Sequence, residues 1–225
     1  MLLESYFCAL VVALSIPILV VLLRILQVSP FTQLPKHLKE RKSIQLLNNK
    51  HVSIFLGSGG HTGEMMRLLS RMNLASFDRT WIYSSGDTAS QCRAHSDEEE
   101  RYGNRRGHYI QIPRARNVGQ SYISSIATTL FSMAVSAIKL VRHNPDVILF
   151  NGPGTCIPIA YMLFVFKLVG LNRTKIIYIE SLARVKTLSL SGRLIMPITD
   201  RCIVQWDALY LSLIHISEPT RLALI

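Results

Sequence analysis

Two short glycine-rich stretches hold the residues of this chain best suited to chemistry on an anion. The first is Gly57-Ser58-Gly59-Gly60-His61-Thr62-Gly63 and the second is Asn151-Gly152-Pro153-Gly154-Thr155. Each follows a short apolar run and leads into a helical pattern. Glycines let the backbone approach a ligand closely and turn its N–H groups inward, and a helix start adds partial positive charge. Gly57, Ser58, Gly59, Gly60, Thr62 and Gly63, with Asn151, Gly152, Gly154 and Thr155, are therefore the expected phosphate cradle; for Gly152 and Gly154 a simple tight turn is the other reading. His61 sits inside the first loop, where its ring can act as a base or phosphate partner, or cap the helix start. Arg114 and Arg116 follow the third apolar run and can clamp a pyrophosphate or stand solvated on the surface. Glu180 ends the fifth run, either as a buried acid capping nearby backbone or as a hydrogen-bonding contact to a sugar or a loop.

The elements that must position these residues repeat along the body. His51–Leu56, Arg79–Ser84, His108–Ile112, Asp146–Phe150, Lys175–Glu180 and Cys202–Trp206 read as strands alternating with helices. That series predicts a parallel sheet covered on both faces, with the glycine turns at one edge. Met65, Leu68, Leu69 and Met72 form an amphipathic stripe. Helices are expected at Tyr122–Arg142 and Thr155–Val169; the latter has an apolar core of only about 11 residues, which suits a buried crossover better than a membrane span. Thr88–Gly107, with Asp97, Glu98, Glu99 and Glu100 in a row, reads as a mobile surface excursion with solvated acids rather than a metal site.

Several chemistries are disfavoured. A strict G-x-G-x-x-G would need glycine at Thr62, and Ser84 and Ser85 stand where a dehydrogenase places its ribose-binding acid. No Walker lysine follows the glycines, and no G-x-S-x-G elbow occurs. Cys8, Cys92, Cys156 and Cys202 show neither zinc nor disulfide spacing.

With 225 residues the chain holds one domain and an appendage; 25 Lys and Arg against 14 Asp and Glu give a net charge of +11 and favour an anionic partner. The basic residues are spread through the body without a nucleic-acid motif, so no nucleic acid is expected. Tyr6–Leu23 is free of charge and as a helix would extend about 27 Å, close to a bilayer core. Arg24, Lys36, Lys39, Arg41, Lys42 and Lys50 follow it, opposed by Glu40, which places the body in the cytosol by the positive-inside rule. The expected organisation is an anchor at 1–24, a basic juxtamembrane linker at 25–50, the lobe at 51–206 and an atypical tail at 207–225.

FLGSGGHTGEM (Phe55–Met65), PRARNVGQSY (Pro113–Tyr122), NPDVILFNGPGTCIP (Asn144–Pro158) and the segment Ile176–Trp206 together resemble the membrane-anchor subunit of the eukaryotic UDP-N-acetylglucosamine transferase of asparagine-linked glycosylation. The glycine loops also resemble those of the bacterial transferase that adds GlcNAc to a polyprenyl-pyrophosphate muramyl-peptide. The resemblance implies a single Rossmann-like α/β lobe, one half of a two-lobed GT-B glycosyltransferase, with an N-terminal transmembrane helix. It implies transfer of GlcNAc from UDP-GlcNAc to GlcNAc-pyrophosphate-dolichol without a metal or other cofactor, at the cytosolic face of the endoplasmic reticulum membrane. The other lobe is then a soluble donor-binding subunit that this chain recruits, the chain alone being inactive. The glycine-loop residues, Arg114 and Arg116 would hold the acceptor pyrophosphate, with His61 and Glu180 as catalytic candidates. A membrane-anchored scaffold that binds nucleotide-sugar or lipid phosphate without catalytic residues is the alternative. From about Leu211 the sequence resembles translated adapter or vector sequence, which implies a non-native tail.

Deleting residues 1–24 is expected to release the chain from membranes or leave weak, salt-sensitive binding, read by fractionation after a salt wash. Protection of the body from protease in sealed microsomes would contradict a cytosolic placement.

Overall fold

Strands rich in Ile, Val and Phe alternate with helices along the chain, and burial on both faces selects parallel pairing. The computed structural model describes residues 15–16, 18–29, 50–103, 107–113, 122–214 and 222–224. Strands β1 (His51–Leu56), β2 (Asp78–Ser84), β3 (Gly107–Ile112), β4 (Val147–Asn151), β5 (Lys175–Ile179), β6 (Arg201–Val204) and β7 (Leu222–Leu224) form one sheet in the order β3-β2-β1-β4-β5-β6-β7. Every neighbouring pair is parallel. The helices are α1 (Gly60–Leu69), α2 (Thr88–Tyr102), α3 (Tyr122–His143), α4 (Cys156–Leu168), α5 (Leu190–Ile195) and α6 (Asp207–Ile214).

Alternation along the strands divides the core. Ile54, Leu56, Trp81 and Tyr83 face Met65 and Leu69 of α1 and Ala94 of α2. Phe55, Ile82, Ile148, Phe150, Ile176 and Tyr178 face the other way, against α4, α5 and α6. The expected α/β lobe and its six strands are thus present, with ends shifted by a residue or two. The stripe of α1 is shorter than expected: the helix ends at Leu69, and Met72 lies beyond it, exposed.

Helix α4 is the buried crossover that its length suggested. Its one charged residue, Lys167, is buried and donates to Asp200 at 2.9 Å, and Lys175 and the backbone N–H of Ile176 donate to the same carboxylate. Burial alone would raise the Asp200 carboxyl, but these donors hold it below the usual range. Residues 207–214, set apart from the lobe in the sequence reading, form α6 and bury Leu209 and Leu213 in the core.

The segment Thr88–Gly107 corrects the sequence reading. Instead of a mobile excursion it begins with a helix, α2, capped by Asp87 on the N–H of Ser90 and closed by Gly103 at φ 63°. The row of acids does not all face water. Glu98 is 0% exposed and pairs at 2.7 Å with Arg79, itself 1% exposed, while Trp81 Nε1 donates to its other oxygen at 2.9 Å. Arg79 Nη1 also donates to the carbonyls of Leu74 and Phe77. A Cβ on Gly107 would lie 2.6 Å from Glu98 Cδ, so the bare glycine of β3 makes room for the carboxylate. Asp97 pairs with Arg101 one turn later.

Residues 18–28 are helical, with Ile18–Leu26 largely exposed and Arg24 Nε donating to the Leu168 carbonyl at 2.9 Å. Among the described residues no helix is long and apolar enough to cross a membrane. Residues 1–14 and 17 of the expected anchor, and the linker over 30–49, lie outside the described residues.

Glu98→Ala leaves a buried guanidinium without its counter-ion and is expected to cost about 3–5 kcal/mol, read by denaturant unfolding. Glu98→Gln should cost less because its carbonyl oxygen still accepts a hydrogen bond in the same place, although its NH2 then faces a donor. Burial alone would raise the Glu98 carboxyl, yet the hydrogen bonds from Arg79 and Trp81 hold it below its ordinary value of 4.5. A depressed carboxyl stabilises the fold above that value and loses this contribution as the pH falls through its folded value. The wild type should therefore lose its stability advantage over Glu98→Gln progressively as the pH falls below that ordinary value.

Candidate functional site

Strands β1 and β4 are neighbours, yet α1 leaves β1 toward one face of the sheet and α4 leaves β4 toward the other. This divergence is the switch point at which open α/β sheets bind ligands, and both glycine loops lie at it. In the first loop Gly59 takes φ 66° and ψ −125°, and α1 starts behind it with no side chain capping its amides. In the second, Gly152 takes φ 91°, and α4 starts after Thr155, again without a side-chain cap. By contrast, α2 and α5 are capped by Asp87 and Ser189. The start of α1 therefore keeps its first-turn N–H groups free of side-chain acceptors, the arrangement that takes an anion, whereas at α4 the N–H groups of Cys156 and Ile157 already donate to the carbonyls of Pro153 and Gly154 and Pro158 has none.

The loops touch. A Cβ on Gly57 would stand 2.7 Å from Pro153 Cγ and 2.9 Å from His61 Cβ, and a Cβ on Gly152 would fall within the His61 ring. Ser58, Gly59, Gly60 and Gly154 are exposed along the rim, and a Cβ on Gly60 or Gly154 would meet nothing within 4 Å.

Beneath the rim runs a polar chain. His61 Nδ1 donates to Asn151 Oδ1 at 3.0 Å, Asn151 Nδ2 donates to Glu64 Oε2 at 3.2 Å, and Ser181 Oγ donates to Glu64 Oε1 at 2.9 Å. Asn151 is fully buried, whereas the side chains of Glu64 and His61 are 18% and 33% exposed. Glu64 and Ser181 were not singled out from the sequence. The three-residue spacing that puts Glu64 on the same helical face as His61 was the available signal.

Other expected residues have different surroundings. The Thr62 hydroxyl is buried and committed to the Gly57 carbonyl and to Ser90, which donates to Asp87, so Thr62 can offer an anion only its backbone N–H. The side chain of Arg93, on α2, reaches Gly63: a Cβ there would lie 3.4 Å from Arg93 Nη1. Glu180 is buried, with Oε2 accepting from the N–H and hydroxyl of Ser189 and Oε1 from the N–H of Ser181. That is the geometry of the capping reading, and a Cβ on Gly192 would clash with the carboxylate. The nearby thiol of Cys156 is pushed up by burial. Arg114 and Arg116 lie outside the described residues. A separate cleft of about 300 Å³, lined by Asn144, Asp146, Leu171, Asn172 and Arg173, opens before β4 and β5, at the opposite end of the strands from the glycine loops.

Gly152→Ala places a methyl group in the His61 ring and forces a side chain into φ 91°, and a loss of about 1–3 kcal/mol is expected from the backbone alone. Gly154→Ala, with open space and an ordinary φ, should change thermal stability by less than about 1 kcal/mol. Equal stability of the two variants would contradict the described contact between the loops.

Residues 52–217 match the family described as "Oligosaccharide biosynthesis protein Alg14 like". The UDP-N-acetylglucosamine transferase subunit ALG14 of Candida albicans is 55% identical over 207 residues, which cover 92% of this chain and 93% of that protein. The subunit of the same name from Mus musculus is 40% identical, with 78% and 81% covered. Among solved structures, MurG of Acinetobacter baumannii superposes with a TM-score of 0.53 at 11% identity, over 78% of this chain and 45% of MurG. LpCGTa in complex with UDP gives 0.51 at 10% identity, over 79% and 52%. The chain thus spans about half the length of each of these two structures, and the likeness is one of fold.

Proposed function

We infer what this chain does from the family to which it belongs, the Alg14-like oligosaccharide biosynthesis proteins. It is a subunit of a UDP-N-acetylglucosamine transferase, supplying one Rossmann-like lobe of a two-lobed glycosyltransferase. The observation that carries this reading is the pair of touching glycine loops at the switch point, with the uncapped start of α1 facing the crevice between them.

In this reading the crevice holds the pyrophosphate of a GlcNAc-pyrophosphate-dolichol acceptor. Backbone N–H groups around Gly57–Gly63 and Gly152–Thr155 receive the phosphate oxygens, and Arg114 and Arg116 add charge. A soluble partner brings UDP-GlcNAc over the open side. The acceptor hydroxyl oxygen attacks the anomeric carbon, its proton passes to His61, and the bond to UDP breaks with the electron pair leaving on the phosphate oxygen. Helix starts and arginines do the work that a metal does in other transferases, so turnover should persist in EDTA. The exposed apolar run Ile18–Leu23 supports an N-terminal anchor that holds the lobe at the cytosolic face of the endoplasmic reticulum membrane and recruits the partner there. Glu180, closed into its own loop, serves the fold.

The test is co-expression with the soluble partner and measurement of GlcNAc transfer to a lipid pyrophosphate acceptor. The assembled complex should transfer, and the purified chain alone should not; turnover by the lone chain would overturn the split-enzyme reading. His61→Ala should lower turnover by about 10²-fold or more with partner binding unchanged. Full activity of that variant would favour a scaffold that binds lipid phosphate without contributing a base.

A further inference from the structure

We propose that Glu64 is a positioning residue that acts through Asn151 to hold His61 in one tautomer, with the proton on Nδ1 and the lone pair on Nε2. This rests on His61 serving as the base of the transferase. The direction of each hydrogen bond is set by what each atom can do. A carboxylate only accepts, so the group that Asn151 turns toward Glu64 at 3.2 Å is its NH2, and the group left facing His61 at 3.0 Å is its carbonyl oxygen. An amide oxygen only accepts in turn, so His61 Nδ1 must carry the hydrogen. A neutral imidazole protonated at Nδ1 has its lone pair on Nε2, and among the described residues no protein group hydrogen-bonds that nitrogen.

Glu64 does not reach the ring itself, since its nearest oxygen lies 3.9 Å from Nδ1, too far for a hydrogen bond. Its influence passes through the amide. Two features hold that amide in place: Asn151 is fully buried, and Ser181 at the end of β5 donates to the second oxygen of Glu64. The ring is fixed from the other side by Gly152, whose missing Cβ leaves the space it occupies. Without the carboxylate, no other side-chain hydrogen bond among the described residues would decide which end of the Asn151 amide faces His61. A flipped amide would present NH2 to Nδ1, move the imidazole proton to Nε2 and leave the base without its lone pair toward the crevice.

The tautomer is read directly by long-range 1H–15N correlation of the histidine ring in the full-length chain, assembled with its partner in detergent, with the ring neutral. The wild type should show the Nδ1–H pattern. Glu64→Ala should show the Nε2–H pattern or a mixture, and lower turnover about tenfold or more with the KM for the lipid acceptor changed less than about twofold. Glu64→Gln, whose carbonyl can still accept from Asn151 while its NH2 donates to Ser181, should restore both the tautomer and most of the turnover. If Glu64→Ala does not fold, Glu64→Met keeps the volume without the acceptor and carries the same expectation. An unchanged Nδ1–H pattern in the variant that folds overturns the proposal, whether turnover falls or not. Because the tautomer is read without turnover, a wild-type complex that transfers no GlcNAc would refute the functional reading while the NMR result still judged the relay.

Discussion

Two adjacent parallel strands whose following helices go to opposite faces of the sheet open a crevice between them, and here the two loops still touch at its base so closely that neither Gly57 nor Gly152 has room for a side chain. Gly57 lies against Pro153, and Gly152 lies against the ring of His61. The contact draws the starts of α1 and α4 to one place. Any bulk at either position would push the loops apart, and with them the two sets of N–H groups that make a crevice at the β1/β4 seam able to hold an anion. The positive φ at Gly59 and Gly152 serves the same end, since it turns each chain sharply from strand to helix without a cap.

The polar interactions fall into two groups. Away from the crevice, buried charges are fully matched: Arg79 with Glu98, Lys167 with Asp200, and Glu180 with the amides and hydroxyl of the Ser181–Ser189 loop. Desolvation makes these arrangements costly to leave incomplete, so they fix the fold. At the crevice the pattern reverses. Two helix starts have no side-chain cap, and His61 keeps a third of its side chain open. An open helix start beside a partly exposed imidazole, in a structure that pairs its buried charges elsewhere, marks where a ligand completes the set.

How legible these features are in the sequence depends on how local their causes are. The strands are short apolar runs, and the glycine loops follow β1 and β4 directly, so their common edge can be read from βαβ alternation. Helix α2 cannot be read that way. Its buried stripe is Ser90, Ala94 and Glu98, none of which registers as apolar periodicity, and Glu98 is inside because Arg79, Trp81 and Gly107 are arranged around it by strand pairing. The Asp87 cap and Gly103 closure were the local signs. Glu64 and Ser181 are similar: they are separated by most of the chain and meet because β4 and β5 pair in register, bringing the loop after β5 against the start of α1. Glu180, its immediate neighbour, attracted the sequence reading because it is a carboxylate at the right edge, yet its side chain turns into its own loop.

The physics of an anion at a helix start also bears on the proposal that this lobe works only together with a partner. Partial charges of about half a proton at two helix ends are strongly screened while water fills the crevice, since the same charges interact several-fold more weakly at the dielectric of water than in a closed site. A half-exposed imidazole is likewise surrounded by water that competes for its lone pair. In the proposed mechanism, covering the crevice with a second lobe removes that water, strengthens the helix-end field on the pyrophosphate, and brings the donor's anomeric carbon within reach of the hydroxyl that His61 would serve. In that mechanism the lobe carries the anion cradle and the base on one wall, and these groups become effective when the opposite wall arrives with the donor.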